Sequence, residues 1–152
     1  MSENARILVI DDDEGIRKVL AAALEKEGYV VDTAKDGKEA IEKSKTSFYN
    51  LALVDIRLPD MEGTKLLTAL KETVPKMVKI IVTGYPSLQN AIEAVNKGAD
   101  GYIVKPIKMD ELLSTVEGHL KKQQEAIKYS EQKVAEFIET RVKEQESKLA
   151  KS

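Results

Sequence analysis

Three consecutive carboxylates, Asp11, Asp12 and Asp13, follow an apolar run near the start of the chain, and a fourth, Asp55, ends another such run. Farther along, Thr83-Gly84 and Lys105-Pro106 close two more. Carboxylates crowded at one place repel one another, so a cluster of them implies a cation or a proton that offsets the charge. Mg²⁺ suits such a set: it is a hard octahedral ion that takes oxygen ligands, uses one or two carboxylates and keeps several waters. A carboxylate can also be a nucleophile that forms an aspartyl-phosphate. Phosphoryl transfer asks chiefly for a positioned attacking oxygen and for charge stabilisation at the transferring oxygens, which the Lys105 ammonium and the Thr83 hydroxyl could supply beside the metal. The residue types leave open which aspartate is the nucleophile. Each residue by itself also has an ordinary reading: an acid after a strand caps a helix, Thr83 bonds its own turn, and Lys105 is exposed before a proline.

These groups matter only if the chain brings them together. Short β-branched runs alternate with stretches whose apolar residues recur at helical spacing, the pattern of βα units. Ala5 to Ile10 reads as a buried strand, and Ile16, Val19, Leu20, Ala23 and Leu24 mark one face of a helix that Gly28 can terminate. Tyr29 to Thr33 reads as the second strand, Asp36 to Lys45 as a helix, and Asn50 to Val54 as a strand covered on both faces. Leu66, Leu67 and Leu70 mark the third helix, Val78 to Val82 the fourth strand, and Ala91, Ile92 and Val95 the fourth helix, closed by Gly98. Pro86 and Ser87 suit the start of that helix. Gly101 to Val104 and a helix carrying Leu112, Leu113 and Val116 complete the series. The expected fold is α/β: a doubly wound, five-stranded parallel sheet of flavodoxin type, strand order 2-1-3-4-5, with helices on both faces. In such sheets functional groups gather beyond the carboxyl ends of the strands, where Asp11 to Asp13, Asp55, Thr83 and Lys105 all fall.

Composition narrows the partners. The 152 residues carry 24 Lys and Arg against 26 Asp and Glu, a net charge of −2, which gives no global attraction to nucleic acid or anionic membrane. Cysteine is absent, excluding disulfides and thiolate metal sites. The first residues lack signal-peptide character, and no stretch approaches the length of a membrane helix. The expected location is therefore cytoplasmic.

Four segments, in this order, carry a family resemblance: Ile7 to Asp13, Val54 to Gly63 (Val-Asp-Ile-Arg-Leu-Pro-Asp-Met-Glu-Gly), Val82-Thr83-Gly84, and Gly98 to Pro106. From about Ala5 to Gly118 the chain resembles the CheY-like receiver domain of two-component response regulators. The resemblance implies that Asp55 accepts a phosphoryl group from a sensor histidine kinase or phosphotransfer protein. It implies Mg²⁺ held by Asp11, Asp12, Asp55 and the backbone carbonyl of Arg57. It implies that Thr83 and Lys105 engage the phosphoryl group while Tyr102 swings inward, altering the face of helix 4, strand 5 and helix 5 toward a downstream protein target. The Lys105-Pro106 peptide is expected to be cis. Such a domain is a signalling phosphoacceptor that assists its own phosphotransfer and dephosphorylation rather than an enzyme. Asp13 falls outside the matched metal pair and suits a helix cap. Arg57 and Tyr85, two residues beyond the phosphoacceptor and the switch hydroxyl, border the route of water to the phosphoryl group; an Arg there either screens the phosphate or points into solvent.

The expected domain division is a receiver over 1–118 and a helical extension over 119–152, which holds eight Lys and Arg and six Glu and lacks proline and glycine. Ile127, Val134, Ile138, Val142 and Leu149 lie near one face of the extension, too thinly spaced to define a coiled coil. Helix 5 either runs on unbroken from Lys108 to Ala150 or ends at Gly118. The extension then serves as a dimer or partner helix, or as a linker; a homodimer through helix 4, strand 5 and helix 5 is the other self-association to consider. No helix-turn-helix or glycine-rich nucleotide loop follows, so a stand-alone switch is expected, with the receiver half of a longer DNA-binding regulator as the alternative. A phosphatase using Asp11 and Asp13 as nucleophile and acid, and a flavodoxin, fit less well. The latter would set its flavin phosphate against an acidic loop. His119, the single histidine, reads as a surface side chain.

Overall fold

The computed structural model describes residues 4–151. Ten elements alternate: β1 (Arg6–Ile10), α1 (Glu14–Lys26), β2 (Val30–Ala34), α2 (Gly37–Thr46), β3 (Leu51–Asp55), α3 (Gly63–Ala69), β4 (Val78–Thr83), α4 (Leu88–Asn96), β5 (Gly101–Val104) and α5 (Met109–Lys151). The strands form one sheet in the order β2-β1-β3-β4-β5, and every adjacent pair is parallel. Parallel neighbours need a crossover, and α1 to α4 supply the four.

Because side chains alternate along a strand, each central strand feeds two cores. Leu8, Ile10, Ala52, Val54 and Ile81 point to one face, where Ala40 of α2, Leu66 and Leu67 of α3 and Ala94 of α4 pack on them. Ile7, Val9, Leu51, Leu53, Ile80 and Val82 point to the other, under Leu20 and Leu24 of α1 and Leu112 and Val116 of α5. The sheet is thus covered on both sides, which is why β3 and β4 read as unbroken apolar runs.

Local chemistry sets the helix ends. Asp13, Asp36 and Ser87 each accept the backbone N–H three residues on, at 3.0, 2.8 and 3.0 Å, satisfying donors that the first helical turn leaves open. Gly28 and Gly98 follow α1 and α4 with φ of 96°, a left-handed conformation that favours glycine. Two details differ from the sequence expectation. Tyr29 precedes β2 rather than opening it, and Pro86 lies before the Ser87 cap rather than inside the first turn. Gly118 does not end α5, since one glycine in a helix interior costs only about 1 kcal/mol relative to alanine and no capping residue or proline follows. The chain divides into two compact units between Leu120 and Lys121. No helix among the described residues is long and apolar enough to cross a membrane.

Candidate functional site

The sheet register brings the chemistry-bearing residues to one edge. Asp11 directly follows β1, Asp55 is the last residue of β3, Thr83 the last of β4, and Lys105 follows β5. Asp11, Asp12 and Asp55 each offer a carboxylate oxygen within 4.8 Å of the others. The Lys105 ammonium lies 2.9 Å from Asp11 Oδ2 and 3.6 Å from Asp55 Oδ2. Asp11, Asp55 and Thr83 are buried and Asp12 is exposed, so the cluster opens to solvent on the Asp12 side.

Backbone contacts hold these groups in place. The Asp13 N–H donates to Asp11 Oδ1 at 2.9 Å, and the Arg17 guanidinium to the Asp11 carbonyl at 2.8 Å. The Arg57 N–H donates to Asp55 Oδ1 at 3.2 Å. The Lys105 N–H donates to the Thr83 carbonyl at 2.7 Å, tying the two strand ends together. Gly63 is required by close approach: a Cβ there would stand 2.2 Å from the Asp55 carbonyl oxygen, and its N–H donates to Ile56 at 2.7 Å. Any side chain at 63 would push the β3–α3 loop off the Asp55 backbone. The Lys105-Pro106 peptide is cis, as is Val74-Pro75.

Burial first, and then the Asp11 charge, push the Asp55 carboxyl up to about 6; the Arg57 N–H and Lys105 only partly offset them. For Lys105, burial opposes the charged form, but hydrogen bonding and attraction to Asp11, reinforced by Asp55, leave its pKa above the ordinary lysine value. Three carboxylates against one ammonium leave excess negative charge, which a divalent cation with oxygen ligands would neutralise. The donor set, all oxygen and partly open, fits Mg²⁺.

The remaining sequence candidates have defined places. Thr83 Oγ1 accepts the Tyr85 N–H at 2.9 Å. Tyr102 packs against the core on the α2–α4 side, with its hydroxyl buried and without a protein hydrogen-bond partner. Asp13 turns its carboxylate to the α1 N-terminus, outside the acidic cluster, which leaves the phosphatase-type pairing without its second acid. The Arg57 guanidinium lies 3.9 Å over the Tyr85 ring, so the two exposed side chains from different loops form one stacked pair. His119 is half-buried rather than a plain surface residue; a Cβ on Gly101 would stand 3.3 Å from its Nε2.

Two contributors lay outside the sequence reading. Asp60 accepts the N–H groups of Gly37 and Lys38 through its two oxygens, each at 2.9 Å, latching the β3–α3 loop to the start of α2. Arg17 fixes the Asp11 backbone. Asp60 sits in a loop motif and Arg17 on a helix, but nothing in their spacing reveals partners across the sheet edge.

The response regulator receiver domain model matches residues 7–117. The transcriptional regulatory protein ZraR of Escherichia coli (strain K12) is 36% identical over 115 residues, 76% of this chain and 26% of ZraR. The chain thus spans about a quarter of that relative's length. A CheY-like response regulator receiver domain protein from Methanospirillum hungatei JF-1 superimposes with a TM-score of 0.78 at 45% identity, covering 81% of this chain and 98% of that one. The response regulator protein TrrA from Thermotoga maritima, crystallised in complex with Mg(2+)-BeF, gives a TM-score of 0.68 at 33% identity over 76% of this chain and 98% of TrrA.

Proposed function

This chain belongs to the response regulator receiver domain family, and on that premise we propose that Asp55 is its phosphoacceptor, charged by a partner histidine kinase in a Mg²⁺-dependent step. One observation carries the assignment. Of the clustered acids, Asp55 is the one that ends the central strand β3, buried beside Asp11 and within 3.6 Å of the Lys105 ammonium. With its pKa near 6, Asp55 is mostly ionised at neutral pH, as a nucleophile must be. Its oxygen forms the bond to phosphorus as the P–N bond of a phosphohistidine breaks, and the electron pair returns to the imidazole.

Mg²⁺ held by Asp11, Asp12, Asp55 and the Arg57 carbonyl would supply positive charge to the phosphoryl oxygens. The chain's own groups do the rest. Lys105 reaches Asp55 within 3.6 Å and offers its ammonium to the new phosphoryl group. Thr83, whose hydroxyl accepts from Tyr85, re-aims it to donate to the same group. Tyr102, already packed inward with its hydroxyl unpaired in the protein, follows the Thr83 movement at the next strand. The readout surface is the α4–β5 face, where Leu88, Ile92, Val95 and Val104 are exposed apolar residues suited to a protein target.

A second reading makes this unit the receiver half of a longer regulator. It is favoured by the quarter-length match to a protein named as a transcriptional regulator, and the natural reading frame decides it. The phosphoacceptor assignment is tested by intact mass after incubation with Mg²⁺ and acetyl phosphate. Wild type gains one phosphoryl group, and Asp55→Asn gains none. Labelling retained by Asp55→Asn but lost by Asp11→Asn would overturn it.

A further inference from the structure

We infer that the C-terminal part of α5, beyond Leu120, pairs with the same helix of a second copy of this chain, antiparallel and centred on Ile138. The helix leaves Val134, Ile138, Val142 and Leu149 between 49% and 74% exposed, with Ile127 half-buried beside them. Water contact over so many large apolar groups on one stripe is unfavourable, and burying them drives association. Val134, Ala135 and Ile138 line a shallow apolar depression with Ser130 and Glu131, and the small Ala135 lets a second backbone approach.

The identity and direction of the occupant follow from symmetry in the stripe. Val134 and Val142 stand four residues either side of Ile138, and Ile127 and Leu149 stand eleven. At about 100° per residue all five fall within roughly 40° of one line along the helix. A two-fold axis at Ile138 therefore sets Ile138 on its copy, Val134 on Val142, and Ile127 on Leu149, filling each layer with apolar side chains. Glu131 and Gln145, seven residues either side and within roughly 20° of the line, then face each other as carboxylate and amide. A parallel pair would set Glu131 against Glu131 inside the seam, where like charges repel.

The flanks agree. Lys128 and Glu146 both project roughly 80° to the same side of the stripe, and the two-fold axis brings each Lys128 beside the other copy's Glu146, twice per dimer. The charges nearer the centre are already matched within the helix, Lys133 with Glu136, Lys143 with Glu139 and Arg141 with Glu144, so they ask for no outside partner.

Because these 152 residues contain no cysteine, single cysteines placed in this chain report the geometry without background. Under mild oxidation Ile138→Cys cross-links to itself. Val134→Cys and Val142→Cys cross-link when mixed and do not when separate. Wild type gives a dimer mass by light scattering that falls to the monomer in Ile138→Asp and Lys128→Glu, and Lys128→Glu combined with Glu146→Lys restores the dimer. Circular dichroism confirms that each variant stays helical. Self-cross-linking of Val134→Cys alone would overturn the antiparallel arrangement. A monomer mass at every dilution without cross-linking of Ile138→Cys would overturn self-association, whether or not Asp55 is phosphorylated.

Discussion

The Lys105 ammonium sits closer to Asp11, at 2.9 Å from Oδ2, than to Asp55, the proposed nucleophile, at 3.6 Å. The same cation proposed to serve the phosphoryl group is thus held by a carboxylate proposed to bind metal. Removing it frees negative charge for Mg²⁺ while taking a cation from the transferring oxygens. Lys105→Met should tighten Mg²⁺ binding in a calorimetric titration and slow phosphorylation by acetyl phosphate on the order of 10²-fold, the usual cost of one preorganised donor.

The raised Asp55 pKa makes the site a source of instability. A carboxyl that titrates near 6 when folded and near 4 when unfolded binds its proton more tightly in the folded state, so this group's contribution to stability falls as pH rises from about 4 to about 6 and stays low above that. Each pKa unit is worth about 1.4 kcal/mol, and hydration at the open Asp12 side brings the expected gain of Asp55→Asn to about 1–2 kcal/mol. Urea unfolding without Mg²⁺ should show that gain at pH 7.5 and lose it toward pH 4.

The Arg57–Tyr85 stack lies across the two loops that flank Asp55 and Thr83. An exposed cation–π contact is worth about 0.5–1 kcal/mol, so losing it opens the site to water by a similar measure. Arg57→Ala and Tyr85→Ala should each shorten the phosphoryl lifetime about two- to fivefold, and the double variant should add little, as followed by the decay of phosphoprotein once donor is removed.

Away from the site, the Tyr49 hydroxyl donates to Asp32 Oδ2 at 2.6 Å, and Arg6 donates to the same oxygen at 3.0 Å. The Tyr49 hydrogen bond, with Arg6, holds Asp32 below its ordinary pKa, while burial and Asp32 push Tyr49 up to about 12. The Asp32 contribution is present above pH 4 and is lost as pH falls through its lowered folded pKa; the Tyr49 contribution is lost as pH rises from about 10, the unfolded tyrosine value, to about 12. Tyr49→Phe should destabilise by about 1–2 kcal/mol at pH 7 and flatten the acid limb of the stability curve measured by urea unfolding.

Much of this was legible before the structure. The alternation of β-branched runs with helical stripes located all ten elements, and Asp13, Ser87, Gly28 and Gly98 marked helix ends by their local backbone demands. Strand order came from assigning five βα units to the flavodoxin type of doubly wound sheet, because periodicity says where a strand lies and nothing about its neighbours. For the same reason the Asp60 latch on α2, the Arg6–Asp32–Tyr49 cluster and the Arg57–Tyr85 stack were invisible: each joins residues far apart in sequence through the packing of separate loops or strands. The half-burial of His119 against Gly101 was missed because helical position alone does not show which neighbour lacks a side chain. Conversely, the unbroken passage of α5 through Gly118 was one of two readings that propensity left open, and the absence of any stop signal after it tipped the balance.

The most direct test of the proposed function locates the acyl phosphate. After brief incubation with Mg²⁺ and acetyl phosphate, borohydride reduction converts a phosphorylated aspartate to homoserine, which peptide mass spectrometry can place. The proposed function predicts conversion at Asp55 alone, absent when Mg²⁺ is chelated. Conversion at Asp11 or Asp13 instead, or at none of the three with Mg²⁺ present, would contradict it.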